Sequence, residues 1–196
     1  SRASECKASY IVTPRSAQSA SLPVRVWPVP GDVGALRRQL MAATEGLPNG
    51  RLVSADRDIR SYAAALARRG DHGPAARGLF ELAQAWLRRG RLDSARTAAR
   101  EVGELAKIAG DDRGLIDAAT LSGRICTEAG ELSEAESLLR GSLAAARLRD
   151  DRECAAACNL ALARSLFWQG RYDEAARCLE GVEPFADVVQ PGSQSL

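Results

Sequence analysis

The sequence Arg-Gly-Arg-Leu-Asp-Ser-Ala at residues 89–95 recurs twice in altered form. The second copy is Ala-Gly-Glu-Leu-Ser-Glu-Ala at 129–135, and the third is Gln-Gly-Arg-Tyr-Asp-Glu-Ala at 169–175, so the copies start forty residues apart. Each copy has glycine in second place and alanine five residues after that glycine. A fixed spacing of this kind identifies an internal repeat, in which one structural unit is used several times.

A shorter period divides the same region into helices. Helix-breaking residues occur every twenty positions: Gly70, Gly90, Gly110, Gly130, Asp150 in place of glycine, and Gly170. The intervening sequence is rich in Ala, Leu, Arg and Glu, which favour helix. Glycine suits the position after a helix because it adopts the left-handed backbone conformation easily. The pattern therefore predicts antiparallel helix pairs joined by tight turns, which is the unit of an α-solenoid.

The three copies resemble the turn of the tetratricopeptide repeat. Counted from the turn glycines, the positions shared with that family are Ala83, Gly123 and Ala163, then Trp86, Cys126 and Leu166, then Ala95, Ala135 and Ala175. Arg69-Gly70-Asp71-His72 with Ala75 is a weaker fourth copy. The common period of the family is about thirty-four residues. The longer period found here resembles the tetratricopeptide-like arms of large bacterial transcription regulators and signalling ATPases.

This resemblance implies an all-α, right-handed α-solenoid of antiparallel helix pairs, with about seven helices over residues 55–184. Predicted helices lie near 55–69, 73–89, 92–109, 112–129, 132–149, 151–169 and 172–182. Because only 5% of the residues are aromatic, the core must be built from Ala and Leu. Buried positions expected from the 3.6-residue period include Ile59, Leu66, Leu82, Ala95, Val102, Leu115, Leu139, Leu162, Tyr172 and Leu179.

Residues 1–54 lie outside the repeats and are interpreted as a lead-in, or as the tail of an upstream α/β domain. Strands are possible at 10–13 and 24–27, and a helix is predicted at 33–45. Because the chain begins at Ser1 without an initiator Met, we expect a fragment of a larger protein. The bias towards Ala and Arg suggests a bacterial source.

The end of the array is unusual because no capping helix follows the last repeat. Residues 185–196 are predicted to form a flexible tail. Three arrangements fit the sequence: residues 185–189 cover the open end, further repeats follow in the native protein, or two chains meet there as a homodimer.

Composition restricts the class of partner. The 27 basic and 25 acidic residues give a formal net charge of +2, which argues against a direct nucleic-acid surface. No apolar run reaches the eighteen or so residues that span a bilayer, so no membrane partner is expected. Five cysteines, mostly within helical stripes, indicate a reducing compartment, and we expect a cytoplasmic protein.

No group of residues in the sequence is arranged for catalysis. The single histidine, His72, falls in a turn, and Cys154, Cys158 and Cys178 have the spacing of a core stripe rather than of a zinc site. Gly31-Asp32-Val33-Gly34 lacks the Lys-Ser/Thr of a phosphate-binding loop. The acidic pairs 111–112 and 150–151 lie at helix starts, where they cap. The sequence therefore predicts no enzyme activity, no cofactor and no metal site.

What remains is a binding surface. The resemblance places helix A residues on the concave face: Arg77, Phe80, Gln84 and Arg88; Asp117, Thr120, Arg124 and Glu128; Leu160, Arg164, Phe167 and Trp168. Nine of these, all except Asp117, Thr120 and Leu160, are predicted to bind a partner. Arg124 and Arg164 occupy equivalent positions and would form a short basic ridge. Phe167 and Trp168 are adjacent, so one of them is expected to be exposed as an interface anchor; the other interpretation is that both pack against the last helix and the tail. The Lys/Asn pattern that clamps a peptide carboxylate in some family members is absent.

The sequence thus favours a non-catalytic module that binds a protein or peptide, within a bacterial signalling or transcription regulator. Two alternatives stay open. The chain could be the sensor arm of a multidomain ATPase or other enzyme whose catalytic domain lies elsewhere, or it could be a stand-alone adaptor.

Overall fold

The computed structural model describes residues 32–47, 52–180 and 182, and every regular element in them is a helix. The eight helices are α1 (Val33–Glu45), α2 (Leu52–Ala67), α3 (His72–Arg88), α4 (Leu92–Ala109), α5 (Asp112–Glu128), α6 (Leu132–Leu148), α7 (Arg152–Trp168) and α8 (Tyr172–Glu180). The strands considered at 10–13 and 24–27 and the predicted flexible tail at 185–196 lie outside the described residues.

The turns between helices follow the twenty-residue period. All five glycines of the pattern have positive φ, between 65° and 79°, and Asp150 has a φ of 51° in the equivalent turn. Asp111 and Asp151 cap the helices that follow them, since their carboxylates accept hydrogen bonds from the backbone N–H groups of Gly114 and Cys154, both at 2.9 Å. The capping role predicted for these acidic residues is therefore confirmed.

Consecutive helices pack as pairs, and the pairs stack. Helices α2, α4, α6 and α8 begin at Leu52, Leu92, Leu132 and Tyr172, which are forty residues apart. Helices α1, α3, α5 and α7 contact one another in succession along the stack, so they form one continuous face. The array is an all-α solenoid of the predicted kind.

Helix α1 coincides with the helix predicted at 33–45 and packs against both α2 and α3. The described part of the array therefore has eight helices instead of about seven. The extra pair was not predicted, although Gly50, Leu52 and Ala55 repeat the turn glycine, leucine and alanine of the other copies, forty residues before Gly90, Leu92 and Ala95. The domain boundaries at 54 and 184 remain predictions.

Small residues allow the helices to approach closely. A methyl group on Gly123 of α5 would come within 2.6 Å of Leu139 Cγ on α6, and one on Gly78 of α3 within 2.7 Å of Leu40 Cδ1 on α1. Most predicted core positions are buried, including Ile59, Leu66, Leu82, Ala95, Val102, Leu139 and Leu162.

Three positions predicted to be buried are not. Leu115, Tyr172 and Leu179 expose 36%, 61% and 41% of their surface. Leu115 lies in the first turn of α5, before the stripe that faces α6. Tyr172 and Leu179 belong to α8, which packs on α7 and, within the described residues, has no following helix to cover its other side.

Ion pairs join successive repeats. Arg37 of α1 reaches Asp71 before α3, and Arg113 of α5 reaches Asp151 before α7, both at 2.6 Å. On the other side of the stack, Arg96 of α4 binds Glu131 before α6. These pairs connect one repeat to the N-terminus of a helix in the next, and so they support the register of the stack.

Candidate protein-interaction groove

A groove of about 860 Å³ runs along the face formed by α3, α5 and α7 and is closed at one end by α8. Its polar lining consists of Arg88, Asp117, Thr120, Arg124, Thr127, Glu128 and Arg164. Its apolar lining consists of Phe80, Leu87, Leu121, Ala157, Leu160, Ala161, Ala163, Phe167, Ala175 and Leu179. The groove thus combines charged side chains with an extensive apolar wall.

Six of the nine residues predicted for partner binding line this groove. They are Phe80, Arg88, Arg124, Glu128, Arg164 and Phe167. Arg77, Gln84 and Trp168 lie on the same helices but outside the groove lining. Arg77 instead pairs with Glu81 on its own helix, at 3.4 Å. The role of all nine residues in binding stays a prediction.

Arginines from three successive repeats meet in the groove. Burial lowers the pKa of the Arg124 guanidinium, and the nearby positive charges of Arg164 and Arg88 lower it further. Arg124 makes no ion pair or hydrogen bond with any residue that the structure describes, while Arg164 Nη2 pairs with Glu128 Oε1 at 2.7 Å. Arg88 therefore lies together with Arg124 and Arg164, the two residues expected to form a basic ridge. Of the three, only Arg164 forms an ion pair with Glu128.

Two further polar side chains, Asp117 and Thr120, line the groove beside the arginine cluster. Burial raises the pKa of the Asp117 carboxyl, although Arg113 lies 3.5 Å away and acts in the opposite direction. Thr120 donates a hydrogen bond to the backbone carbonyl of Ile116 at 2.8 Å, and its hydroxyl lies 3.2 Å from Cys158 Sγ. Asp117 and Thr120 thus have partners of their own, whereas Arg88 and Arg124 have no ion pair or hydrogen bond in the described residues.

Aromatic side chains form the edge of the groove near α8. Phe167 packs edge-on against Trp168 and Tyr172, with ring centroids 5.9 Å and 5.3 Å apart. Phe167 and Trp168 nonetheless expose 54% and 60% of their surface. Exposed aromatics beside arginines are typical anchors of protein interfaces.

Several residues of the groove lining were not predicted from the sequence, including Leu87 of α3 and Leu121 of α5. Ala157, Ala161 and Ala163 form part of the floor on α7, and Ala175 and Leu179 come from α8. Ala163 was identified only as a repeat position, and Ala157 and Ala161 were assigned no role. Leu179 was assigned to the core because its spacing from Ala175 fits a buried stripe, and only the packing of α8 on α7 shows that it faces the groove.

Other reactive side chains do not converge on this groove as a catalytic site. Cys154 is buried, and burial raises the pKa of its thiol to about 12. Among the described residues, one group could supply three metal ligands: Cys126, Glu131 and Glu134, whose ligand atoms lie within 4.8 Å of one another. Burial raises the pKa of the Cys126 thiol to about 11, and Arg96 already binds Glu131, so this group is poorly suited to a cation.

Comparison with known proteins adds evidence on the fold. No protein-family model matches the chain, and no curated protein matches it either. Among solved structures, a protein of Podosopora anserina, described as a putative kinesin light chain with nearly identical TPR-like repeats, has a TM-score of 0.61 and 21% identity, covering 83% of this chain and 80% of its own. A single-residue variant of that protein has a TM-score of 0.60 and 22% identity, with 81% and 78% covered.

A third similar structure is BtubC (BKLC) from P. vanneervenii, with a TM-score of 0.50 and 15% identity, covering 82% of this chain and 77% of that one. At these identities the likeness shows the fold alone. The described part of the chain therefore has the helical repeat fold of these TPR-like proteins. No helix among the described residues is both long and apolar enough to cross a bilayer.

Proposed function

We propose that this chain is a non-catalytic protein-interaction module whose groove binds an acidic peptide segment with apolar anchors. The main support for this proposal is the cluster of Arg88, Arg124 and Arg164, of which only Arg164 forms an ion pair with Glu128. An acidic ligand would supply the carboxylates that the cluster lacks, and charge-assisted hydrogen bonds to arginine are among the stronger polar contacts.

The apolar wall defines the second requirement for a ligand. Leu160, Phe167 and Leu179 all line the groove and remain exposed. Burying such side chains contributes about 25 cal/mol for each Å² removed from water. A segment that carries only acids would leave this wall in contact with water, so the favoured ligand has Asp or Glu interleaved with Leu, Phe or Val.

Binding of a labelled peptide tests this proposal. A peptide of Glu, Asp, Leu and Phe should bind the full chain, and the same peptide with Lys in place of the acids should not. Arg124→Glu combined with Arg164→Glu should weaken binding by about a hundredfold or more, because it leaves the peptide carboxylates facing like charges. Fluorescence anisotropy gives the dissociation constants, and circular dichroism checks that the helices are intact.

The matched control replaces two arginines outside the groove with glutamate. Arg100→Glu with Arg147→Glu changes the net charge equally on the exposed surfaces of α4 and α6, and it should leave binding within about twofold. Equal affinity for the acidic and the Lys-containing peptide, in both the native chain and the groove variant, would contradict the proposal. Hydrolysis of ATP by the chain would contradict its non-catalytic part.

We also propose a cellular setting for this module. The forty-residue period and the bias towards Ala and Arg support a place in a larger bacterial signalling or transcription regulator. The four described cysteines are free thiols, which supports a reducing, cytoplasmic location. The exposed residues of α8 would also permit a homodimer through this end, and light scattering at micromolar concentration tests that arrangement directly.

A further inference from the structure

We propose that the groove is occupied in the free protein by residues 183–189 of the same chain, Glu-Pro-Phe-Ala-Asp-Val-Val. This inference rests on the proposed function, because the segment would use the site assigned to the partner. It adds a mode of regulation: a partner would have to displace the chain's own acidic segment before it could bind.

The position at which the segment starts supports this assignment. Helix α8 ends at Glu180, and the N–H of Val182 donates a hydrogen bond to the Leu179 carbonyl at 2.8 Å. The Leu179 side chain lines the groove, so residue 183 follows within a few residues of the groove wall. An extended chain advances about 3.3–3.6 Å per residue, and seven residues therefore reach up to about 25 Å.

Charge complementarity selects this segment over the other long stretch outside the described residues. Residues 183–196 contain Glu183 and Asp187 and no basic residue, whereas residues 1–31 contain four basic residues and one acidic residue. The groove is itself net positive, because its lining carries three arginines, Arg88, Arg124 and Arg164, against two acidic residues, Asp117 and Glu128. Coulomb attraction therefore favours the C-terminal segment and disfavours the N-terminal one.

The segment also carries the apolar groups that the groove requires. Phe185 lies two residues from each of the acids, and Val188 and Val189 follow directly. The groove presents aromatic and aliphatic side chains at its α8 end, among them Phe167 and Leu179. The same short segment thus satisfies both features of the ligand that the groove defines.

A tethered ligand needs little intrinsic affinity. A short linker gives an effective concentration on the order of millimolar, so a segment that binds in trans with a dissociation constant of about 0.1 mM would be docked in roughly nine chains out of ten. A partner peptide would then bind about tenfold more weakly than to an open groove.

Competition with a labelled peptide of residues 183–192 tests this inference in the full-length chain. The peptide should bind the Glu183→Gln, Asp187→Asn variant at least about tenfold more tightly than the native chain, because the variant's own segment no longer competes. Adding Arg124→Glu and Arg164→Glu to that variant should abolish binding. The matched control, Gln190→Lys with Ser193→Lys, has the same change in net charge and should behave like the native chain.

The other outcomes separate this inference from the proposed function. Equal binding of the peptide to the native chain and to the variant would overturn occupation by the chain's own segment, while the groove would remain a peptide site. Failure of the peptide to bind any form would also overturn it, and the unrelated acidic peptide would then decide the proposed function alone. A molecular mass that doubles at micromolar concentration, and returns to that of one chain in the Glu183→Gln, Asp187→Asn variant, would assign the segment to a second copy instead.

Discussion

Arg164 of α7 pairs with Glu128 of α5 across the groove, with 2.7 Å between Nη2 and Oε1. Arg124 lies one turn before Glu128 on α5 but has no such partner among the described residues, although burial and the two neighbouring arginines lower the pKa of its guanidinium. With the groove open, the protein therefore holds a positive charge in an unfavourable environment, and a docked carboxylate would relieve this cost.

Arg124→Gln should consequently stabilise the chain with an open groove, tested in the Glu183→Gln, Asp187→Asn background, and weaken ligand binding. Removal of the charge ends the repulsion from Arg88 and Arg164, and we expect the free energy of unfolding to rise by about 0.5–2 kcal/mol. The affinity for the acidic peptide should fall about tenfold or more. Urea denaturation and anisotropy measure the two effects, and a variant that loses both stability and affinity would count against this account.

Asp150 offers a test of the turn period. It has a φ of 51°, the left-handed conformation that the other turns reach with glycine. Asp150→Gly should raise the free energy of unfolding by about 0.5–1 kcal/mol, because glycine adopts this conformation without strain. The reverse change at the equivalent turn, Gly130→Asp, should lower it by a similar amount. Thermal denaturation of the two variants should show opposite shifts in Tm.

The close approach of α5 and α6 depends on Gly123. Gly123→Ala would bring a methyl group to 2.6 Å from Leu139 Cγ and 2.8 Å from its Cδ2. We expect a loss of about 1–3 kcal/mol in the free energy of unfolding. Gly141→Ala is the control, since nothing lies within 4 Å of an added methyl group there, and it should gain up to about 1 kcal/mol from helix propensity.

The ion pairs between repeats make stability depend on pH. Hydrogen bonds from Arg37, Arg96 and Arg171 lower the pKa of Asp71, Glu131 and Glu174 respectively, and those two glutamates start from an ordinary value of 4.5. A carboxyl whose pKa is lower in the folded state stabilises the protein above its unfolded pKa, and this contribution is lost as pH falls through the folded value. The pKa of Glu136 is lowered as well. Burial raises the pKa of Asp117, so its contribution has the opposite sign, but it is one group against four.

Tm should therefore decrease as pH is lowered from about 6 to about 3. Arg171→Gln should flatten this dependence, since Arg171 lies 2.6 Å from Glu174 and 2.7 Å from Glu136. Arg100→Gln is the control, because its exposed ion pair with Glu104 is 4.0 Å long. An unchanged slope in the Arg171 variant would show that other groups determine the acid sensitivity.

Most of the fold could be predicted because its signals are local. A left-handed residue every twenty positions, Asp150 included, ends each helix through backbone geometry that depends only on the neighbouring residues. The repeated turn at 89–95, 129–135 and 169–175 then shows that the helices form pairs. Helix α1 was predicted as a helix but not as part of the stack, although Gly50, Leu52 and Ala55 after it match the turn at Gly90, Leu92 and Ala95.

The groove was only partly predictable. Arg124 and Arg164 could be placed on one face because they occupy equivalent repeat positions, but the sequence did not show that Glu128 pairs with one of them and leaves the other without a partner among the described residues. Leu179 was predicted to be buried, and it lines the groove because no described helix follows α8. The sequence by itself determined the helices and their pairing, because turn geometry and helical periodicity act over a few residues. Only the tertiary structure decided which charges remain unpaired and which apolar side chains remain exposed, because both depend on distances between helices that are far apart in the chain.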